Sequence, residues 1–339
     1  MAQLFAGLDV SDKTTAICVV NKHGETVWEG SANTDPQALI VALKPYKSLL
    51  QAVGLEAGVK AAWLQRGLSS KRYPIVCLDT RHTHAALSAR RNKSDVGDAH
   101  GIALLLCQGI FATSYVKSQD ALYARLLLNN RKVLQSKAHD LHVTLRMTLK
   151  QFGAAMRRDG DRLVYDESTK RPDRNLGALA EPIIRAHGQL MAEYNALNQR
   201  VHSEANNDAV CRRLMTIPGV GPITALAFKA AVDDPTRFTS SRDLAAYFGL
   251  TPTRFQSGGV DVMRKISKRG DKSMRSLLYD AAHTLLVVCR TNAPLRVWAL
   301  DLAKRKGAKL AKVATARKLC VIMHRMWVTG RDFDASPTT

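Results

Sequence analysis

Leu4-Phe5-Ala6-Gly7-Leu8-Asp9-Val10 is a short apolar run with an acid near its far end, and Thr14-Thr15-Ala16-Ile17-Cys18-Val19-Val20 follows almost at once. The second run is rich in β-branched residues, so the two read as consecutive strands. Asn21-Lys22-His23-Gly24 supplies a turn, and a third strand is expected around Thr26 to Glu29. Three strands linked in this way predict an antiparallel meander.

Outward from the meander, helix and strand signals alternate. Thr34-Asp35-Pro36 offers a cap followed by proline in the first turn, opening a helix that runs through Leu43 and that Pro45 closes. Leu50 to Leu55 reads as a fourth strand delivering Glu56 at its end, a helix holds Trp63 and Leu68, and Tyr73 to Leu78 forms a fifth strand. Asn92-Lys93-Ser94-Asp95-Val96-Gly97-Asp98-Ala99 opens the last helix. The order βββαβαβα predicts an α/β layer domain over residues 1–115, in which chemistry collects at strand ends.

Asp9 and Glu56 stand at such ends, and Asp95 and Asp98 share one helix face with Cβ atoms about 5 to 6 Å apart. Carboxylates so placed can share divalent cations, which in phosphoryl transfer activate one oxygen and stabilise another. Taken singly, each acid also has an ordinary role: Asp9 as a turn cap, Glu56 as a solvated strand end, Asp95 as a helix cap.

Fifty Lys and Arg face twenty-nine Asp and Glu, a formal charge of +21, which calls for a polyanionic partner such as nucleic acid. No apolar run is long enough to span a bilayer and no signal peptide is evident, so no membrane role is expected and the location should be cytoplasmic, with the bacterial nucleoid. The six cysteines are scattered without a CxxC pair, which argues against a disulfide framework or structural zinc and for buried free thiols.

From Gln119 to about Phe152, Leu127, Leu134 and Leu141 recur every seven residues, and Leu145, Leu149 and Phe152 continue the stripe. Leu190, Met191, Tyr194, Leu197 and Val201 mark a second amphipathic helix, and the charged stretch Arg157 to Gly177, with Gly160 and Pro172, reads as an exposed connection. A helical hairpin or coiled coil over residues 116–206 follows, either packed within the chain or joining copies into a homo-oligomer, a dimer or tetramer.

Residues 207–332 form the third expected domain, mostly helical. Pro218-Gly219-Val220-Gly221 between helical segments allows a tight turn whose bare N–H groups can meet phosphate, a helix-hairpin-helix reading that makes Gly219 and Gly221 backbone-contact candidates. Gln256-Ser257-Gly258-Gly259 places a serine in a glycine-rich loop. Arg254, Arg264, Lys265, Lys268, Arg269, Lys272 and Arg275 surround it as candidate nucleic-acid contacts. A loop serine can equally make a turn hydrogen bond, and a hydroxyl nucleophile needs activation. Tyr279 to Cys289 reads as a buried helix. Lys304, Arg305, Lys306, Lys309, Lys312, Arg317 and Lys318 stud a final amphipathic helix, as a solvated face or a nucleic-acid contact.

Gly7-Leu8-Asp9-Val10-Ser11, Leu55-Glu56-Ala57-Gly58 and Asn92 to Ala99 resemble the Asp, Glu, Asp, Asp tetrad of the DEDD transposases of the insertion-sequence-110 type, whose relatives include Piv-type DNA invertases. The second motif in that family often reads Glu-Ala-Thr-Gly, and the Thr is missing here. The resemblance implies a RuvC-like, RNase H-like first domain binding magnesium or manganese through Asp9, Glu56, Asp95 and Asp98. Phe248-Gly249-Leu250-Thr251-Pro252, Gln256-Ser257-Gly258 and Ile266-Ser267-Lys268-Arg269-Gly270 are similar to the family's second catalytic domain, whose Ser-Gly serine is the nucleophile; Ser257 is the matching position, and Ser267 and Ser273 lie nearby. The likeness runs from Gly7 to Phe333. It implies a DNA transposase or recombinase working through a serine-phosphate link on element-end and target DNA, with a structured noncoding guide RNA. Rival readings are a RuvC-like nuclease or junction resolvase using only the four acids, a site-specific DNA invertase, and an architectural DNA-binding protein.

Overall fold

In the computed structural model, which describes residues 3–88, 95–159, 162–166, 174–257, 260–290 and 293–334, the chain forms two compact units, Met1–Lys117 and Ser118–Thr339. The first is a mixed α/β unit and the second is mostly helical.

Unit one is built on β1 (Leu4–Val10), β2 (Thr14–Asn21), β3 (Thr26–Asn33), α1 (Pro36–Leu43), β4 (Leu50–Glu56), α2 (Ala61–Ser69), β5 (Ile75–Leu78), α3 (Thr80–Leu87) and α4 (Asp95–Gln108). The sheet order is β3-β2-β1-β4-β5; β2 runs antiparallel to both β1 and β3, whereas β4 pairs parallel with β1 and with β5. The predicted meander is present. Asp35 caps α1 as expected, accepting from the N–H groups of Gln37 and Ala38. The sequence reading passed over α3, a helix that Asp79 caps and of which only Thr83 is buried. Asn92, Lys93 and Ser94 lie outside the described residues.

Strand alternation sorts side chains onto two faces. Leu4, Ala6 and Leu8 of β1, with Val53 and Leu55 of β4, pack with Leu39 and Leu43 of α1 and Leu64 and Leu68 of α2. Phe5, Ala52 and Val76 line the other face with Ile102 and Leu106 of α4, while Cys18 and Val20 of β2 meet Ala99 and Ala103. Gly7 and Gly54 are register partners on this α4 face. A Cβ on Gly7 would stand 2.0 Å from the Ala99 carbonyl oxygen and 2.6 Å from the Ala103 nitrogen, so helix backbone rests directly on strand backbone.

Unit two comprises α5 (Gln119–Lys150), β6 (Ala155–Asp159), β7 (Arg162–Asp166), α6 (Arg174–Asn207), α7 (Ala209–Leu214), α8 (Pro222–Val232), α9 (Ser241–Tyr247), β8 (Pro252–Ser257), β9 (Val260–Ile266), α10 (Lys272–Val287), α11 (Pro294–Lys306) and α12 (Ala308–Thr329). Helices α5 and α6 pack on each other, and Leu127, Val201 and Ala205 join the core that α7 to α12 share around Phe228 and Phe248. Arg131 is buried in the α5–α6 packing, donating from Nε to Asn198 Oδ1 and from Nη2 to the Tyr194 hydroxyl, both at 2.7 Å.

Three expectations change here. The stretch Arg157 to Gly177 is not simply an exposed connection: its described part includes the β6–β7 hairpin, and Leu163 packs with Leu145, Leu149, Leu176 and Ile184. Gly160 and Pro172 lie outside the described residues. Phe152 does not continue the α5 stripe, because the helix ends at Lys150 and the ring is 59% exposed. The final basic helix is two helices, broken at Gly307.

Replacing Gly7 by Ala should push α4 off β1. Overpacking of this kind costs about 1 to 3 kcal/mol, and amide-exchange protection in β1 and α4 should fall accordingly. Gly58→Ala, whose Cβ would meet only the Glu56 oxygen at 3.9 Å, should leave protection unchanged.

Candidate active site

The close packing at Gly7 decides where the acids go. Asp9 lies two residues beyond Gly7, so it is on the same sheet face and about 7 Å further along the strand. Ala99 sits over Gly7, and Asp95 is four residues before Ala99, about 6 Å towards the helix N-terminus. Because β1 and α4 run in opposite directions there, the end of the strand and the start of the helix meet. In β4, Glu56 stands two residues past Gly54, again on the α4 face. The parallel register ends with Gly7↔Gly54 and Leu8↔Leu55, one residue short of Asp9 and Glu56, so the two acids lie at the same end of the paired strands. Asp9, Glu56 and Asp98 are half-buried and Asp95 is exposed.

The backbone thus brings all four predicted acids to one edge of the sheet, on one face. Their side chains are not drawn into a cage: among the described residues, no three His, Cys, Asp or Glu side chains form a group that could hold a metal ion.

The loops bearing the acids are braced. The Lys60 ammonium sits 2.8 Å from Asp12 Oδ1 and also donates to the Asp12 carbonyl, joining the turn after β1 to the loop after β4. The Lys60 hydrogen bond and charge hold the Asp12 carboxyl below its ordinary value. Thr80 Oγ1 donates to the Ala57 carbonyl at 2.9 Å, and Thr34 Oγ1 donates to the Ser11 carbonyl at 3.0 Å. Lys60 and Asp12 were absent from the sequence-based candidates. Forty-eight residues separate them, and no local pattern announces the pair.

Ser257 belongs to the other compact unit. It is exposed at the end of β8, opposite Val260 of β9, so it stands at the tip of a two-stranded ribbon rather than in a plain loop. Gly258 and Gly259 lie outside the described residues. Arg254 spans the ribbon to Asp261 through Nε to Oδ1 at 2.7 Å and Nη2 to Oδ2 at 2.5 Å. That hydrogen-bonded guanidinium lowers the Asp261 carboxyl below its usual range. Arg264, Lys265, Lys268, Arg269 and Lys272 are exposed around the ribbon and its base.

A lone hairpin is marginal in water, so the base of this one matters. Gly249 (φ 70°) and Gly270 (φ 87°) lie so close to the opposite backbone that a Cβ would come within 2.0 Å of the Arg269 oxygen and 2.1 Å of the Tyr247 oxygen. Arg275, expected to meet phosphate, turns its guanidinium inward: Nη1 donates to the carbonyls of Phe248, Arg269 and Gly270 at 3.1, 3.0 and 3.1 Å. Among the rival serines, Ser267 Oγ accepts from the Arg269 N–H at 3.5 Å, and Ser273 lies on α10.

Gly219 (φ 90°) turns the chain between α7 and α8 and abuts α10, its absent Cβ lying 2.7 Å from the Ala281 oxygen. Gly221 is exposed at the N-cap of α8, with open space where a Cβ would be. The cysteines form no disulfide; burial pushes the Cys211 thiol up to about 12 and the Cys77 thiol to about 11, far from thiolate chemistry.

Replacing Arg275 by Ala removes a charged donor from three carbonyls, where such bonds contribute about 1.5 to 3 kcal/mol. Exchange protection around residues 248–257 and 260–270 should fall by tenfold or more, with α8 unaffected.

Residues 6–153 match the DEDD transposases of the IS110 kind, and residues 211–296 match the family described as Transposase IS116/IS110/IS902. A protein of Sinorhizobium fredii named as a transposase, y4pF/y4sB, is 29% identical over 250 residues, 72% of this chain and 65% of that one. The transposase for insertion sequence element IS1111A of Coxiella burnetii is 28% identical over 325 residues, 92% of this chain and 86% of that one. The pilin gene-inverting protein of Moraxella bovis is 32% identical over 124 residues, 36% of this chain and 38% of its own length. No described helix is long and apolar enough to cross a membrane. The chain belongs to the IS110-type DEDD transposase family, typically metal-dependent enzymes that cleave and rejoin DNA.

Proposed function

We propose that this chain is an insertion-sequence transposase that cuts and rejoins DNA through Ser257, assisted by Asp9, Glu56, Asp95 and Asp98. The observation that carries this reading is the convergence of four acids at one edge through the β1–β4 register and the close α4 packing, in a chain of charge +21. The sheet order β3-β2-β1-β4-β5, antiparallel and then parallel, supports the RuvC-like, RNase H-like assignment.

The donor set fits a hard divalent cation: four carboxylates supply only oxygen ligands, which suits Mg2+ or Mn2+ better than softer metals. When bound, such an ion polarises a phosphate and stabilises charge on a leaving oxygen. Ser257 supplies the nucleophile. Its oxygen bonds to phosphorus as the strand oxygen leaves and takes up a proton, the serine proton passing to a base. The phosphodiester energy is kept in the serine link, so a second strand hydroxyl can displace it. Arg254 and the exposed cations around the ribbon hold the flanking phosphates, and Arg275 positions the ribbon.

Gly221 and the start of α8 act as a sequence-neutral backbone contact of helix-hairpin-helix type, with Gly219 shaping the turn. Element ends and target are the DNA partners, and the basic surface accommodates a structured guide RNA. Leu126, Val133 and Met147, exposed at multiples of seven residues along α5, support a homo-oligomer joined along that helix. Similarity to the Moraxella protein favours DNA inversion as the second reading.

The test is strand exchange on element-end DNA with magnesium. Ser257→Ala should lose at least about a thousandfold in rate, and Asp98→Asn should lose activity while still binding DNA. Undiminished metal-dependent hydrolysis by Ser257→Ala would make the protein a resolvase, and undiminished function of Asp98→Asn would make it architectural.

A further inference from the structure

The positive charge is unevenly distributed. Residues 1–117 hold thirteen Lys and Arg against nine Asp and Glu, and residues 118–339 hold thirty-seven against twenty. Helices α11 and α12 alone hold nine against the single Asp301. Ribbon and α8 account for none of these.

Gly307 gives this surplus a shape. On one continuous helix, Lys306 and Lys309 would share a face and Lys304 would point away from both, since successive residues turn by about 100°. The chain instead breaks at Gly307, with φ at 86°, and α11 packs back on α12 through Leu295 and Leu319 in the core. Residues 304–310 are all exposed as a result, so Lys304, Arg305, Lys306 and Lys309 share one corner. Arg305 alone is drawn aside, its Nε donating to Asp301 at 3.0 Å. Further along, Lys312 lies 5.9 Å from the Tyr279 ring centre and Lys318 4.2 Å from that of Trp298, so aromatic faces hold two more cations in place. The start of α12 carries no side-chain cap, and nothing lies within 4 Å of where a Gly307 Cβ would be. A helix start adds positive potential to a corner that the lysines already make basic.

We propose that the α11–α12 corner is a second, sequence-neutral binding surface for the phosphate backbone of duplex DNA, separate from the Ser257 ribbon. It rests on the reading that DNA is this protein's partner and adds where flanking duplex is held. Compact lysine charges beside an open backbone suit phosphates, whose contacts position a duplex without reading its sequence.

The experiment is a salt titration of full-length protein binding to a duplex DNA of arbitrary sequence. Each neutralised phosphate contributes about 0.9 to the log-log slope, so Lys304→Gln with Lys306→Gln and Lys309→Gln should flatten it by about two to three units. A control triple of Lys22→Gln, Lys71→Gln and Lys150→Gln removes equal charge at exposed positions elsewhere and should change the slope by less than one. Equal flattening by both triples, no flattening by the corner triple, or flattening with duplex RNA alone would each overturn the proposal. Failure of the unsubstituted protein to bind duplex DNA at all would instead remove the DNA reading beneath it. Unchanged circular dichroism of both triples shows that the slope reports contacts.

Discussion

A bare α-carbon at position 7 lets the backbone of α4 lie on β1 with no side chain between them. Van der Waals contact at that distance leaves no freedom in helix height, and the height determines which helix residues overlook the strand end. Parallel pairing of β1 with β4 fixes the remaining coordinate, since Asp9 and Glu56 each stand two residues past a glycine in one register. Two acids on strands and two on a helix are therefore placed by backbone geometry. Lys60 and Asp12 then tie the two loops that leave this edge. Like charges in such a group repel one another, so bringing them together needs a cation or a substrate-bound state to offset the cost.

The same device recurs in the second unit. Gly249 and Gly270 allow backbone to meet backbone at the foot of the β8–β9 ribbon, and Arg275 gathers three carbonyls there. The ribbon above is exposed, which suits the role proposed for its serine. Rigid footing and an exposed tip together present the Ser257 hydroxyl without enclosing it, as the proposed nucleophile requires. The cations of the ribbon and the α11–α12 corner share this unit, which carries most of the positive charge of the chain.

Much of the first unit was legible in the sequence because its signals are local. Apolar runs four to eight residues long, Asp35-Pro36 at a helix start and acids closing strands are each read within a few positions. Other features depend on contacts between distant residues. Helix α3 buries almost nothing and carries no apolar period, the β6–β7 hairpin has a charged sequence with Leu163 as its deeply buried residue, and the ribbon around Ser257 is exposed without alternation. Arg275 looked like one more surface cation because its three carbonyl partners become neighbours only after folding. Gly307 was legible as a residue and not as a helix break, since a single glycine within a helical pattern is often tolerated.

As proposed above, the Ser257 hydroxyl and the acids of the first unit serve one phosphodiester. The most direct measurement is to incubate the protein with element-end DNA and magnesium, quench, digest, and map any nucleotide-modified peptide by mass spectrometry. The expected result is a phosphodiester adduct on Ser257 that disappears when Asp9 or Asp98 is neutralised. An adduct on another residue, or one on Ser257 that forms equally well without those acids, would contradict it.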